Sequence, residues 1–119
     1  MPVLALVEDL LFQQKIRATA AALGVAVKFG RDITAAGSPC AGEPWSLVLV
    51  DLGLTHSDPV ALISVLRQRQ PQASIIGFGS HADALLLTRA QAAGCTAVMA
   101  RSAFVQRLTD LLSGSADGI

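Results

Sequence analysis

Five short apolar runs, each followed by a stretch of helical character or of turn-forming residues, constrain this chain more than any other feature. The runs are VLALV (3–7), VAVKF (25–29), SLVLVDL (46–52), ASIIGFG (73–79) and TAVMA (96–100). Most are continuously apolar, as strands covered on both faces must be. Lys28 in the second run marks an edge strand. After the first run, Leu11, Ile16, Ala20 and Leu23 fall near helical spacing, and Gly24 is a natural stop. Asp58 can cap the next well-marked helix, Pro59 suits its first position, and Pro71 ends it. Residues 82–94 read as an Ala-rich helix closed by Gly94, with a chiefly core-facing Ala/Leu face, and Ser102 is the expected cap of a final helix over 103–112. Residues 30–44, with Gly37, Pro39, Gly42 and Pro44, leave room for one short helix at most. The alternation predicts an α/β fold in three layers, a parallel sheet with helices on both faces and right-handed crossovers. One domain is expected over 1–112, with 113–119 a frayed tail.

Composition narrows the function classes. Hydrophobic residues make up 52% and charged residues 15%, too apolar a balance for a disordered chain. The formal net charge is zero, which predicts no electrostatic pull toward nucleic acid or an anionic membrane. No apolar run reaches the roughly 18 residues of a membrane span. The start, MPVLALVEDL, lacks the basic segment of a signal peptide, so a cytoplasmic protein is expected. Cys40 and Cys95 match no metal or redox spacing, and neither His56 nor His81 has a nearby metal-ligating partner. Trp45, just before a strand, reads as packing.

Sites in open parallel sheets form beyond the carboxyl ends of the strands. Glu8 and Asp9 close the first run and Asp51 closes the third. If those strands are neighbours, three carboxylates share one crevice, and like charges this close call for neutralisation. Mg²⁺, a hard cation with oxygen ligands, is the expected remedy. The bland alternative is that these acids cap the following helices, as Asp9 could.

At these residues the chain resembles the CheY-like receiver domains of bacterial response regulators. The resemblance rests on LVED at the end of the first strand, LVLVDLGLTHSDP around Asp51 and AGCTAVMARSAF near the C-terminus, and it covers nearly the whole chain. It implies a doubly wound five-stranded sheet ordered 2-1-3-4-5. It implies Asp51 as the phosphoacceptor, with Glu8, Asp9, Asp51 and the backbone carbonyl of Gly53 holding Mg²⁺. A carboxylate can act as a phosphoryl nucleophile, with positioning and charge supplying most of the catalysis. The implied partners are a histidine kinase or phosphotransfer protein and a downstream protein. The response is expected to be carried by a partner or by a fused region. The contact face would be residues 82–112, where Leu85, Leu86, Leu87, Leu111 and Leu112 suggest a homodimer. Such a protein is a signalling module, not an enzyme.

The sequence departs from the family at five places. Gly79 stands where a Thr or Ser contacts the phosphoryl group, leaving Ser80 or His81 to substitute if the strand ends early. Arg101 replaces a Lys, so Arg101 and Ser80 are the expected phosphate contacts. Ser102 replaces a Pro, which predicts a trans bond. Val98 replaces the aromatic switch residue of the fifth strand, and Pro59 replaces a common Gly. A second reading is therefore a pseudo-receiver, a constitutive interaction module without phosphotransfer. The turn GFGSHAD (77–83) could cradle a phosphate but reads first as a plain turn. A flavodoxin-like or cobalamin-binding module is a third reading. It fits poorly, because EDLLFQQK offers carboxylates where a cofactor phosphate would sit, and Asp51 and His56 have the wrong spacing.

Overall fold

Apolar side chains on both sides of a strand demand cover on both sides, and that requirement organises the molecule. The computed structural model describes residues 3–30, 45–55, 58–80 and 82–113. Strands β1 (Val3–Leu6) and β3 (Leu47–Asp51) are buried at every position, and β4 (Ser74–Gly79) at all but its first. β2 (Val27–Gly30) and β5 (Ala97–Ala100) are only half-buried, with Lys28 exposed. The sheet is all parallel in the order β2-β1-β3-β4-β5, so the half-buried strands are its edges. This is the predicted order and fold class.

Four helices cover the sheet: α1 (Leu10–Leu23), α2 (Pro59–Arg69), α3 (Ala84–Ala93) and α4 (Arg101–Leu112). α1 packs with α4 and α2 with α3, one pair on each face. Strand alternation sorts the core into two layers. Leu4, Leu6, Val48, Val50 and Leu52 face α2 and α3. Val3, Ala5, Val7, Leu47, Leu49 and Phe78 face α1 and α4. Asp51 continues the second set, two residues beyond Leu49. Beneath it Phe12, Phe78 and Phe104 stack, with centroids 4.0 Å apart for Phe78–Phe104 and 5.1 Å for Phe12–Phe78. Aromatic pairs at separations like that of Phe12–Phe78 add about 0.5–1.5 kcal/mol beyond the area buried.

Local signals set most boundaries. Asp58 caps α2 by accepting from the Val60 and Ala61 N–H groups at 3.0 and 3.4 Å, with Pro59 at the first position. Asp83 caps α3 through Leu86 N–H at 3.2 Å. Gly24 ends α1 with φ 71°, a conformation that glycine alone adopts freely. Trp45 is buried, as read. No peptide bond among the described residues is cis, so Arg101–Ser102 is trans as the Ser implies.

Three expectations are corrected. Leu11 is 83% exposed and Leu23 is also exposed, whereas Ile16 and Ala20 are buried. Leu11 lies five positions before Ile16, about 140° around the helix, while Phe12 lies four before it and shares its face. Ser102 does not cap α4: β5 runs straight into the helix, Ala100 takes the extended cap conformation, and no side chain caps it. The third is the leucine argument for the dimer face. Leu111 and Leu112 are buried against the sheet and Leu86 and Leu87 pack on the core, leaving Leu85 alone exposed among those five. The short helix placed within 30–44 falls largely outside the described residues, as do Cys40, His56, His81 and the tail beyond Ser113.

Cys95 is free and buried in the α2/α3 layer. Burial pushes its thiol up to about 11, opposed more weakly by the Gly77 backbone and the Arg67 charge. A thiolate is the reactive form. Cys95 should therefore stay unmodified by a thiol reagent at pH 8 in the native protein and react on unfolding. Peptide mapping of labelled protein checks this, and native labelling would show that the layer is open. No helix among the described residues is long and apolar enough to cross a membrane.

Candidate functional site

The parallel register brings the carboxyl ends of β1 and β3 side by side: Leu6 pairs with Val50, one residue before Asp51. The β1–α1 turn therefore carries Glu8 and Asp9 to the edge of the sheet where Asp51 lies. Asp51 is the one buried charged residue among those described, at 6% exposure. Two donors meet it at the strand end. Gly53 N–H donates to Oδ1 at 2.8 Å, and Arg101 Nη2 donates to the same oxygen at 3.0 Å.

Arg101 is the first residue of α4 and reaches back across the end of β4 to β3. Its guanidinium lies 5.7 Å from the centroid of the Phe12 ring, within cation–π range. Gly53 makes room for both groups. A Cβ there would lie 3.2 Å from Asp51 Oδ1 and 3.3 Å from Arg101 Nη2. The family resemblance implies a carbonyl role for Gly53; the structure adds its N–H and its lack of a side chain.

Glu8 and Asp9 are each engaged locally. Glu8 Oε1 accepts from both the N–H and the hydroxyl of Thr55 at 2.9 Å, tying the β1–α1 turn to the β3–α2 loop. Asp9 caps α1, accepting from Leu11 N–H at 2.9 Å and Phe12 N–H at 3.3 Å. Gln13 Nε2 donates to the Val7 carbonyl at 2.6 Å and fixes the same turn from the helix side. The donor chemistry suits a hard divalent cation, with carboxylates and backbone oxygen at adjacent strand ends. The carboxylates share one edge without forming one cluster: among the described residues no three His, Cys, Asp or Glu side chains are gathered to hold a metal. A cation bound by all three would have to draw Glu8 from Thr55 and share Asp51 with Arg101.

β4 runs through Gly79, and Ser80 starts a turn whose hydroxyl accepts from Ala82 N–H at 3.2 Å. Ser80 thus lies beyond the strand end and serves the turn. The Gly79 position is filled from next door. A Cβ on Gly79 would meet Leu52 Cβ at 3.2 Å, so the side chain after Asp51 crowds the space a Thr would need. Thr55, Gln13, Phe12 and Leu52 escaped the sequence reading. Only Phe12, four residues before the core residue Ile16, carried a local signal.

No family model and no curated protein matches the sequence. Solved structures do match. The signal receiver domain of an HD domain-containing protein from Pseudomonas fluorescens Pf-5 aligns at TM-score 0.81 and 20% identity, over 98% of this chain and 94% of that one. A CheY-like response regulator receiver domain from Methanospirillum hungatei JF-1 gives TM-score 0.78 and 14% identity over 99% and 98%. A Burkholderia pseudomallei response regulator, solved with a phosphorylated aspartic acid, a calcium ion and citrate, gives 0.76 and 22% over 98% and 69%. The chain has the fold of the CheY-like receiver domains of response regulators.

Proposed function

We propose that Asp51 accepts a phosphoryl group and that the chain is a response regulator receiver domain working in a phosphorelay. The observation that carries this reading is a buried carboxylate at the mouth of a receiver fold, held by Gly53 N–H and by the Arg101 guanidinium. Both donors fall on Oδ1, which leaves Oδ2 to attack. In the transfer, Asp51 Oδ2 forms a bond to the donor phosphorus while the bond from phosphorus to the donor's leaving atom breaks. The product is an aspartyl-phosphate. Arg101 supplies positive charge beside the incoming phosphoryl oxygens, and its planar fork can grip two of them. Glu8, Asp9, Asp51 and the Gly53 carbonyl are the groups that would hold Mg²⁺, which when bound would neutralise the charge between two anions. The donor would be a histidine kinase or phosphotransfer protein. Output would pass by docking to a further protein, and the module would act in the cytoplasm without turnover of its own.

The test is incubation with acetyl phosphate and Mg²⁺ followed by intact-mass measurement. A gain of one phosphoryl group that is lost in Asp51→Asn is expected. Absence of any gain in the unmodified protein favours the second reading, a phosphorylation-independent interaction module. Leu52 packed on Gly79 supports that alternative, because it crowds the position where the family carries its switch Thr or Ser.

A further inference from the structure

We propose that Phe12 is a positioning residue for the Asp51 site: its ring is the platform that holds Arg101 on the acceptor. The inference rests on the reading of Asp51 as phosphoacceptor and adds a residue to it.

The argument starts from the weakness of an exposed ion pair. The Arg101 side chain is 46% exposed, and Asp51 is its sole hydrogen-bond or ion-pair partner among the described residues. A long, solvated side chain loses rotamer freedom when fixed, and pairs of this kind contribute little by themselves. A guanidinium laid over an aromatic face is different, because the ring restricts it to a plane while leaving its donors available.

Phe12 is built to be rigid. Its ring stacks on Phe78 at 5.1 Å and 14° and on Phe104 at 5.7 Å and 23°. Its backbone N–H is held by Asp9 Oδ1, so the acid that caps α1 also fixes the platform. Gly53 opens the remaining side, since a Cβ there would sit 3.3 Å from Arg101 Nη2. Ring, gap and acceptor define one position for the guanidinium. The same arrangement gives a physical reason for Arg at 101 in place of Lys. A planar, delocalised cation stacks on a ring and still donates in that plane, which a tetrahedral ammonium cannot do.

The test uses Phe12→Leu, Phe12→Trp, Arg101→Ala and the Phe12→Leu/Arg101→Ala double variant, each first shown to be folded by thermal melting. Phosphorylation from acetyl phosphate should slow about two- to fivefold in Phe12→Leu and recover in Phe12→Trp. In the Arg101→Ala background, Phe12→Leu should change the rate no further. An equal slowing with and without Arg101 would mean that Phe12 acts through packing alone, and the proposal is then wrong. A second readout needs no phosphorylation. Side-chain NMR of Arg101 should show a guanidinium with slowed rotation in the unmodified protein and Phe12→Trp, and free rotation in Phe12→Leu. An unchanged Arg101 signal in Phe12→Leu overturns the proposal. If the unmodified protein takes up no phosphate, the acceptor reading fails by itself, and the Arg101 signal decides the role of Phe12.

Discussion

An Arg67→Ala variant is expected to melt roughly 10 °C below the unmodified protein, a loss of about 3 kcal/mol. Arg67 sits near the C-terminus of α2, at the edge of the sheet opposite Asp51. Its Nε donates to the Gly94 carbonyl at 2.9 Å. Its Nη1 donates to the carbonyls of Ala73 at 2.9 Å and Pro71 at 3.1 Å, with a longer contact to Gln70. Its Nη2 donates to the Thr96 hydroxyl oxygen, which also accepts from Ile75 N–H. One guanidinium thus satisfies the carbonyl that follows α3, two after α2, and the entry to β4 and β5. Helix C-termini leave such carbonyls without partners, and several here are part-buried. Removing the side chain strands them, at about 1–3 kcal/mol each where water cannot reach and less where it can. Arg67→Lys should recover only part of the loss, because an ammonium cannot span acceptors set for a planar fork. Urea melts of the three proteins test this. An unfolding free energy for Arg67→Ala within about 0.5 kcal/mol of the unmodified protein would show that water replaces the guanidinium. The rate of Asp51 phosphorylation should be unchanged under conditions where the variant is folded.

The Arg67 cluster shows what the sequence hides. All but one of its acceptors are backbone carbonyls, up to 27 positions away, and carbonyls carry no residue code. The Glu8–Thr55 tie was invisible for another reason: it joins side chains 47 positions apart, whose meeting depends on the fold. What could be read was local or periodic. The apolar runs became the five strands to within about two residues at their ends. Asp58–Pro59 opened α2 as expected, and Lys28 lies on an edge strand. Asp51 stood out because two further acids, Glu8 and Asp9, close another apolar run at the same end of the sheet. Phase was harder. Leu10 and Leu11 are apolar yet exposed, and a short helix with apolar residues on several faces gives no sharp moment to orient it. Leu111 and Leu112 looked like a sticky surface because the sequence cannot say that α4 turns them inward onto Leu47 and Leu49. The acids were legible as a group at one mouth. Their separate engagement by Thr55, by the α1 cap and by Arg101 was not, since each depends on side-chain direction.

Gly79→Thr, the change that would supply a hydroxyl at the end of β4, is expected to destabilise the protein by about 1–3 kcal/mol and to leave it without a working contact. The new Cβ would press on Leu52, 3.2 Å from its Cβ and 3.7 Å from its Cδ1. Leu52 cannot yield easily. It is 3% exposed and its Cδ2 also lies over Gly77, where a Cβ would approach it at 3.5 Å. Two glycines on one face of β4 and the leucine that follows β3 therefore form a matched set, and Gly79 follows from Leu52 rather than from a loss of function alone. Leu52→Ala by itself should cost about 2–4 kcal/mol through the cavity it leaves. Combined, the two changes should cost less than their sum by about 1–2 kcal/mol, because the threonine fills space the leucine vacated. Urea denaturation of the four proteins measures this coupling, and strict additivity would rule out the steric account. The coupling also separates the two readings of the site. If the double variant holds an Asp51 phosphoryl group longer than the unmodified protein, the acceptor chemistry is intact and Leu52 sets its switching. If no variant is phosphorylated, a threonine in this position changes packing and nothing else, as an interaction module would have it.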